Sequence, residues 1–234
     1  MHTKVWQDPR VGAGMRIQLR KRAAALAGGR VHRGWKLGLG APAMREKLDI
    51  AAPLLGFLLA DGALASGAKV NLAGWAKPML EAEIAVHMGS DLASGATNDA
   101  ARAAIAGIGP AIELADVDAP LDDAEAALGA NIFQRHFVLG AVTSQWGIET
   151  LRGWETEISV NGDVVQTMPD PMHLTGGLIE NVRHVADYLA AFGLILKKGD
   201  VIITGSITPP IFVVAGQTAQ TRTQGLGSSL ALAF

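Results

Sequence analysis

Short β-forming runs broken by turn residues recur through most of the chain, and this pattern restricts the possible folds more than any other feature. The plainest case is residues 154–160 and 163–168, two β-rich runs flanking Asn161-Gly162. Asn-Gly supplies the two positive-φ residues of a type I′ turn, so a hairpin is predicted here. Further β runs fall at residues 70–72, 81–87, 111–115, 136–142, 201–204, 211–214, 219–223 and 228–234. Many short strands with few long helices predict an α+β fold, a mixed β-roll or barrel with peripheral helices rather than a doubly wound parallel sheet.

The helical signals are fewer. Residues 14–27 place Met15, Leu19, Ala23 and Leu26 on one stripe, and Gly28-Gly29 stops the pattern. Shorter helices are predicted over residues 43–48, 98–108 and 122–128, the second capped by Asn98 or Asp99 and ended by Gly109-Pro110. Residues 179–192 repeat Val182, Val185, Leu189 and Phe192 at three- and four-residue intervals before Gly193, which predicts a helix packed on a sheet. The Pro- and Gly-containing stretch around residues 52–68 marks the one internal boundary. It sets an N-terminal helical lobe, 1–65, before a β-roll catalytic body, 66–234, within one continuous domain.

Composition removes several function classes. Twenty basic residues against twenty-two acidic ones leave a net charge of −2, without the footprint of a nucleic-acid binder. The basic cluster of Arg16, Arg20, Lys21 and Arg22 reads as the solvated face of a helix. The chain has no cysteine, which excludes disulfides, thiolate metal sites and a cysteine nucleophile. Its longest apolar run, residues 51–60, contains Pro53 and Gly56 and is half of what a membrane span needs; the first residues lack the apolar stretch of a secretory signal. A cytoplasmic protein without membrane partners is therefore expected. No Walker motif, dinucleotide fingerprint, helical i, i+4 histidine pair or G-x-S-x-G elbow is present.

The chemistry concentrates in acidic residues on strands. Glu81-Ala82-Glu83 opens a predicted strand, where period-two geometry sends both carboxylates to one face with Ala85 and His87, while Ala82, Ile84, Val86 and Met88 take the other. Glu113 lies between Ile112 and Leu114 in a second predicted strand, where an unpaired charge would be costly. A divalent cation removes that cost, and three carboxylates with open positions suit Mg²⁺ or Mn²⁺. Lys36 stands among glycine and apolar residues in GWKLGLG, either exposed or in a cleft facing substrate charge. Residues 199–210 read as a strand breaking into a Gly/Ser/Thr/Pro loop, whose backbone N–H groups and Ser206 and Thr208 hydroxyls can hold a carboxylate or enolate oxygen.

In order along the chain, GWKLGLG, LEAEIAV, AIELAD, NIFQRHFVLG, GDVIITGSITPP and GQTAQTRTQGLGSSLALAF resemble the 2-keto-4-pentenoate hydratase and 4-oxalocrotonate decarboxylase branch of the fumarylacetoacetate hydrolase superfamily, from about residue 34 to the C-terminus. The resemblance implies a mixed β-roll. It implies a dication held by Glu81, Glu83 and Glu113, with Lys36 matching the family's active-site lysine and Asn131, Ser206 and Thr208 as substrate-binding residues. The implied substrate is a small 2-oxo or 2-hydroxy-dienoic acid chelated by the metal, and the implied reaction is addition of water. Loss of CO₂, C–C hydrolysis, or ligand binding on a scaffold without turnover are the alternatives the same residues allow.

Three stretches depart from the branch. Pro53-Leu54-Leu55-Gly56 lacks its aspartate, Ala130 and Phe133 replace an aspartate and a serine beside Asn131, and Gly40 and Ala41 replace hydroxyl residues after the lysine motif. Asp61, Arg135 and His136 remain as the titratable candidates to fill the gap. A roll must cover its exposed sheet edges, which predicts a homo-oligomer.

Overall fold

The computed structural model describes residues 4–147 and 151–234. The first element, α1 (Pro9–Ala27), begins five residues earlier than the stripe suggests, because Asp8 accepts a hydrogen bond from Arg10 N and Pro9 occupies the first turn. Its buried residues are Val11, Gly14, Met15 and Gln18; of the predicted stripe Met15 is buried, Leu19 and Leu26 are half-buried against the core, and Ala23 is exposed. There follow β1 (His32–Gly38), α2 (Pro42–Leu48), β2 (Leu54–Leu59), β3 (Ala63–Leu64) and β4 (Pro78–Met88). The middle of the chain supplies α3 (Asn98–Ala104), β5 (Ile105–Asp116), α4 (Ala124–Gly129), β6 (Gln134–Leu139), β7 (Thr156–Val160) and β8 (Asp163–Met168). The last third supplies α5 (Leu178–Ala191), β9 (Val201–Ile203), β10 (Ile211–Phe212), β11 (Thr218–Thr223) and β12 (Leu230–Ala233).

Two sheets result. The larger runs β2-β1-β9-β4-β5-β6-β3 with β10 on β4, and the smaller runs β12-β11-β7-β8. The β1–β9 and β3–β6 pairs are parallel and the other pairs antiparallel, so the large sheet is mixed. Although β2 and β3 stand at opposite ends of its order, only Ala60–Gly62 join them. A flat sheet cannot be spanned by three residues, so this one curls into a half-barrel.

One face of the large sheet belongs to the main core, which gathers Trp35, Leu37, Leu80, Ala82, Ile84, Ile112 and Leu114 with Val182, Val185 and Leu189 of α5. Here the predicted helical stripe is borne out, and Gly193 terminates it at φ 73°. The other face carries a smaller apolar cluster of Leu58, Ala85, Ala111, Phe137, Val201 and Ile203. Glu81, Glu83, Glu113 and Lys36 lie on this second face. The Asn161-Gly162 hairpin forms as predicted, with φ of 52° and 92° at its two turn residues.

Several expectations need correction. Residues 1–65 do not form a separate helical lobe, because β1 and β2 are strands of the large sheet; Trp35, Leu37, Leu55 and Phe57 fill the same core as the rest of the chain. β2 is an unbroken apolar and glycine run without polar alternation, as happens when both faces are buried, and in β1 Gly34 and Gly38 weaken the strand signal. The helix expected over residues 98–108 ends at Ala104, and the chain continues as β5 straight through Gly109-Pro110. Tertiary pairing with β4 overrides the helix-forming alanines. A Cβ at Gly107 or Gly109 would come within 2.7 Å of the carbonyl oxygen of Thr143 or Ala141, so glycine lets the neighbouring backbone approach. Residues 70–72 form no strand; Val70 N only donates to Ala233 O. Among the described residues no helix is long and apolar enough to cross a membrane.

Helix α1 is seated by small and polar groups. A Cβ on Gly14 would fall 2.7 Å from Glu125 O and from Leu128 Cβ of α4, and the buried Gln18 donates through Nε2 to Leu55 O and Leu128 O. Gly14→Val should therefore destabilise the protein by about 1–3 kcal/mol, the usual cost of overpacking, measured as a lower urea midpoint with an unchanged m-value.

Candidate metal centre and active site

Strands β4 and β5 pair in antiparallel register over their whole length, and this register sets Glu81 directly opposite Glu113. Glu83 follows two residues along on the same face. One carboxylate oxygen from each of the three lies within 4.8 Å of the others. Glu83 and Glu113 are buried and Glu81 is half-buried. Like charges directly opposed across a sheet repel, so the arrangement persists only with compensation.

Part of the compensation is Lys36. Its stem crosses Gly56, its antiparallel partner on β2, where a Cβ would come within 2.8 Å of Lys36 Cγ. Its buried ammonium donates to Glu113 Oε1 and to the carbonyl of Ile132. The lysine is thus a cleft residue and not an exposed one. Glu83 Oε2 accepts from Gly205 N at 2.8 Å, while Glu83 Oε1 and Glu113 Oε2 are buried and receive no protein hydrogen bond. One ammonium against three carboxylates leaves an excess of negative charge. Burial, then the charge of Glu113, pushes the Glu81 carboxyl up to about 7, with Lys36 opposing. Burial, then Glu113 and Glu81, raises Glu83 well above the usual carboxylate range. Two orphaned oxygens and a surplus of charge in an all-oxygen donor set fit a hard divalent cation.

The loop after β9 forms the adjoining wall. Thr204 donates to Ile84 O through both its amide and its hydroxyl, and Ile207 N donates to Ala82 O, so the loop is strapped along β4. Gly205 holds φ at 95°, a conformation that favours glycine, and so aims its N–H at Glu83. The Ser206 hydroxyl donates to Thr208 O at 2.7 Å, whereas Thr208 Oγ1 is buried with no partner. Glu81, Thr204, Ser206 and Thr208 line a cavity of about 320 Å³ that is otherwise mostly apolar.

Asn131 stands elsewhere. Its side chain accepts from Phe57 N at 2.8 Å and donates to Phe57 O at 3.0 Å, satisfying both groups of that strand residue, and it does not line the cavity. Asn131, Ile132 and Phe133 all have φ between 50° and 60°. Three successive left-handed residues, one of them β-branched, are costly, and the Asn131 amide anchors them. That turn presents the Ile132 carbonyl to Lys36. Neither the turn nor the role of Gly56 was visible in the sequence, which carries no signal for a left-handed run without glycine.

The remaining candidates lie apart from the carboxylates. Asp61 forms an exposed ion pair with Arg30, Arg135 pairs with Asp116 and Asp118, and the His136 ring stacks on Trp75.

A curled mixed sheet holding three convergent glutamates and a lysine defines a carboxylate-rich, cation-type enzyme site. The chain belongs to the fumarylacetoacetate hydrolase family, whose model (fumarylacetoacetate (FAA) hydrolase C-terminal) matches residues 33–231. It is 29% identical to 2-keto-4-pentenoate hydratase 2 of Dechloromonas aromatica (strain RCB), covering 89% of this chain and 80% of that one. It is 28% identical to a 4-oxalocrotonate decarboxylase of Pseudomonas putida, over 83% of this chain and 75% of that one. The solved structure of 4-oxalocrotonate decarboxylase from Pseudomonas putida G7, complexed with magnesium and adipate, superposes with a TM-score of 0.88 at 26% identity, covering 100% of this chain and 90% of that one.

Two outcomes test this geometry. Without divalent cations, the folded protein retains a proton on Glu81 up to about pH 7, above the ordinary value of 4.5. The stability this contributes is complete below the unfolded value and is lost as pH rises through about 7. The thermal midpoint in a chelator should accordingly fall between pH 5 and pH 8 by more than in Glu81→Gln, where the slope flattens. Asn131→Ala frees both polar groups of Phe57 and should cost about 1–3 kcal/mol by chemical denaturation.

Proposed function

We propose that the protein is a divalent-metal-dependent hydratase that adds water to a 2-hydroxy-2,4-dienoate, the enol of a 2-oxo-alkenoic acid. The observation that carries the reading is the convergence of Glu81, Glu83 and Glu113 beside Lys36, with Glu81 opening onto a small, largely apolar cavity. In this reading the three glutamates hold Mg²⁺ or Mn²⁺, which when bound supplies Lewis-acid stabilisation of the negative charge developing on the substrate's 2-oxygen. Thr208 Oγ1, buried with no protein partner, receives the substrate carboxylate, and the Ser206 hydroxyl joins it by turning away from the Thr208 carbonyl to which it donates in the free protein. Lys36 keeps a proton at Nζ close to the reacting end and offsets charge on Glu113.

The net reaction places the hydrogen and hydroxyl of one water on the carbon chain as the enol becomes a ketone. With Asp61 and His136 outside the site, the titratable groups gathered here are Glu81, Glu83, Glu113 and Lys36. Proton transfer therefore falls to this set and to water. Asn131 acts by anchoring the turn beneath Lys36 rather than by touching substrate. The relatives named hydratases support water addition, including 2-hydroxyhexa-2,4-dienoate hydratase of Comamonas testosteroni.

A second reading, loss of CO₂ from a 2-oxo dicarboxylic acid, is favoured by the whole-chain similarity to the Pseudomonas putida decarboxylase. We also take the enzyme to be cytoplasmic and homo-oligomeric; Val164 and Val165, exposed on the edge strand β8, are the apolar surface that supports association.

Incubation with 2-hydroxypenta-2,4-dienoate and Mg²⁺ should give metal-dependent loss of dienol absorbance and a 4-hydroxy-2-oxo acid as product. Release of CO₂ from 4-oxalocrotonate in place of that reaction would establish the second reading, and ligand binding without turnover of either acid would contradict both. Lys36→Met should lower kcat by about 10²–10⁴, the range for a positioned proton donor, while the protein still binds Mn²⁺ by electron paramagnetic resonance titration.

A further inference from the structure

The cavity beside the carboxylates is uneven in character. Its polar lining side chains are Glu81, Thr175, Thr204, Ser206 and Thr208; the wall beyond them includes Leu39, Met44, Met79, Leu121, Leu174 and Pro209. Leu39, Met79 and Leu121 also pack against buried Ala115, Ala127 and Phe133, so this wall is part of an apolar cluster. Met79 precedes Glu81 by two residues on the same face of β4, roughly 7 Å along the strand, about the reach of a short acid held at its other end by the carboxylate centre.

No lysine, arginine or histidine lines this cavity among the described residues. The cations around it are already engaged. Lys36 is committed to Glu113 and the Ile132 carbonyl, and Arg45 donates to the carbonyls of Gly40 and Ala51. His184 bonds Pro53 O at 2.9 Å, and burial pushes its pKa down. A carboxylate pushed against the Met79 and Leu121 wall would lose water without gaining a counter-charge. The volume of 320 Å³ corresponds to roughly ten water-sized units, more than a short dienoate fills.

We infer that the site takes 2-oxo acids with an uncharged, apolar tail longer than a single methylene and rejects those ending in a second carboxylate. Met79 and Leu121 set this preference. The inference rests on the reading of a 2-oxo acid bound at the carboxylate centre, and it separates this chain from relatives that act on a dicarboxylic acid.

The test uses two saturated acids of equal carbon number, 2-oxohexanoate and 2-oxoadipate, titrated calorimetrically into the Mn²⁺-loaded protein. Burying an unpaired carboxylate should make 2-oxoadipate bind at least ~30-fold more weakly. In Met79→Lys and Leu121→Lys, each giving the distal carboxylate a partner, the gap should narrow by ~10-fold or more. Equal affinity in the parent protein, or tighter binding of 2-oxoadipate, overturns the tail preference and leaves the 2-oxo acid site standing. Failure of both acids to bind while Mn²⁺ is held removes that site and this inference together. Because the comparison in the parent protein needs no substitution, it decides the matter even if either variant unfolds.

Discussion

Three carboxylates and one ammonium share a buried patch of sheet, and this imbalance of charge is the constraint to which the surrounding structure answers. Glu81 and Glu113 face each other across β4 and β5, with Glu83 two residues further along. A pair of strands left to itself would slip to separate them. It does not, because a one-residue slip would turn either Leu80, Ala82, Ile84 and Val86 of β4 or Ile112 and Leu114 of β5 out of the main core. Apolar burial on one face therefore holds like charges together on the other. The unfavourable energy shows as raised carboxyl pKa values when protons must serve, and a dication bound in their place would release it.

The supporting elements follow from the same problem. Lys36 can cross to Glu113 only because its neighbour on β2 is Gly56. The β2 edge left open beside it is closed by the Asn131 side chain, which takes both polar groups of Phe57 as a neighbouring strand would. The cost appears as three left-handed residues in succession at 131–133. On the opposite side Gly205 bends the chain so that a backbone N–H reaches Glu83. Backbone strain thus collects at the two ends of the charged patch, where it fixes the directions of donors that the strands alone would not supply.

Much of this was legible in the residues. The E-x-E spacing on a strand and the isolation of Glu113 between Ile112 and Leu114 pointed to one acidic face, and Asn161-Gly162 announced its hairpin. What sequence could not give was register: nothing local says that Glu81 stands opposite Glu113 rather than Ala111. Elements whose pattern is ambiguous were also misassigned. β2, buried on both faces, lacks alternation, Gly34 and Gly38 thin the strand signal of β1, and the start of β5, which follows the alanines of α3, looks helical until β4 is beside it. The resemblance to known hydratases and decarboxylases put Asn131 among substrate contacts, while its geometry makes it an anchor for the turn that Lys36 leans on.

In the proposed reading the carboxylate trio is the one centre on which binding and chemistry both depend. Anomalous diffraction from crystals grown with Mn²⁺ addresses that claim without any assay of turnover. A single strong peak is expected on the β4–β5 face, within coordination distance of oxygens from Glu81, Glu83 and Glu113 together. Manganese bound elsewhere, or a glutamate cluster that stays empty at saturating Mn²⁺ above pH 7, would contradict it.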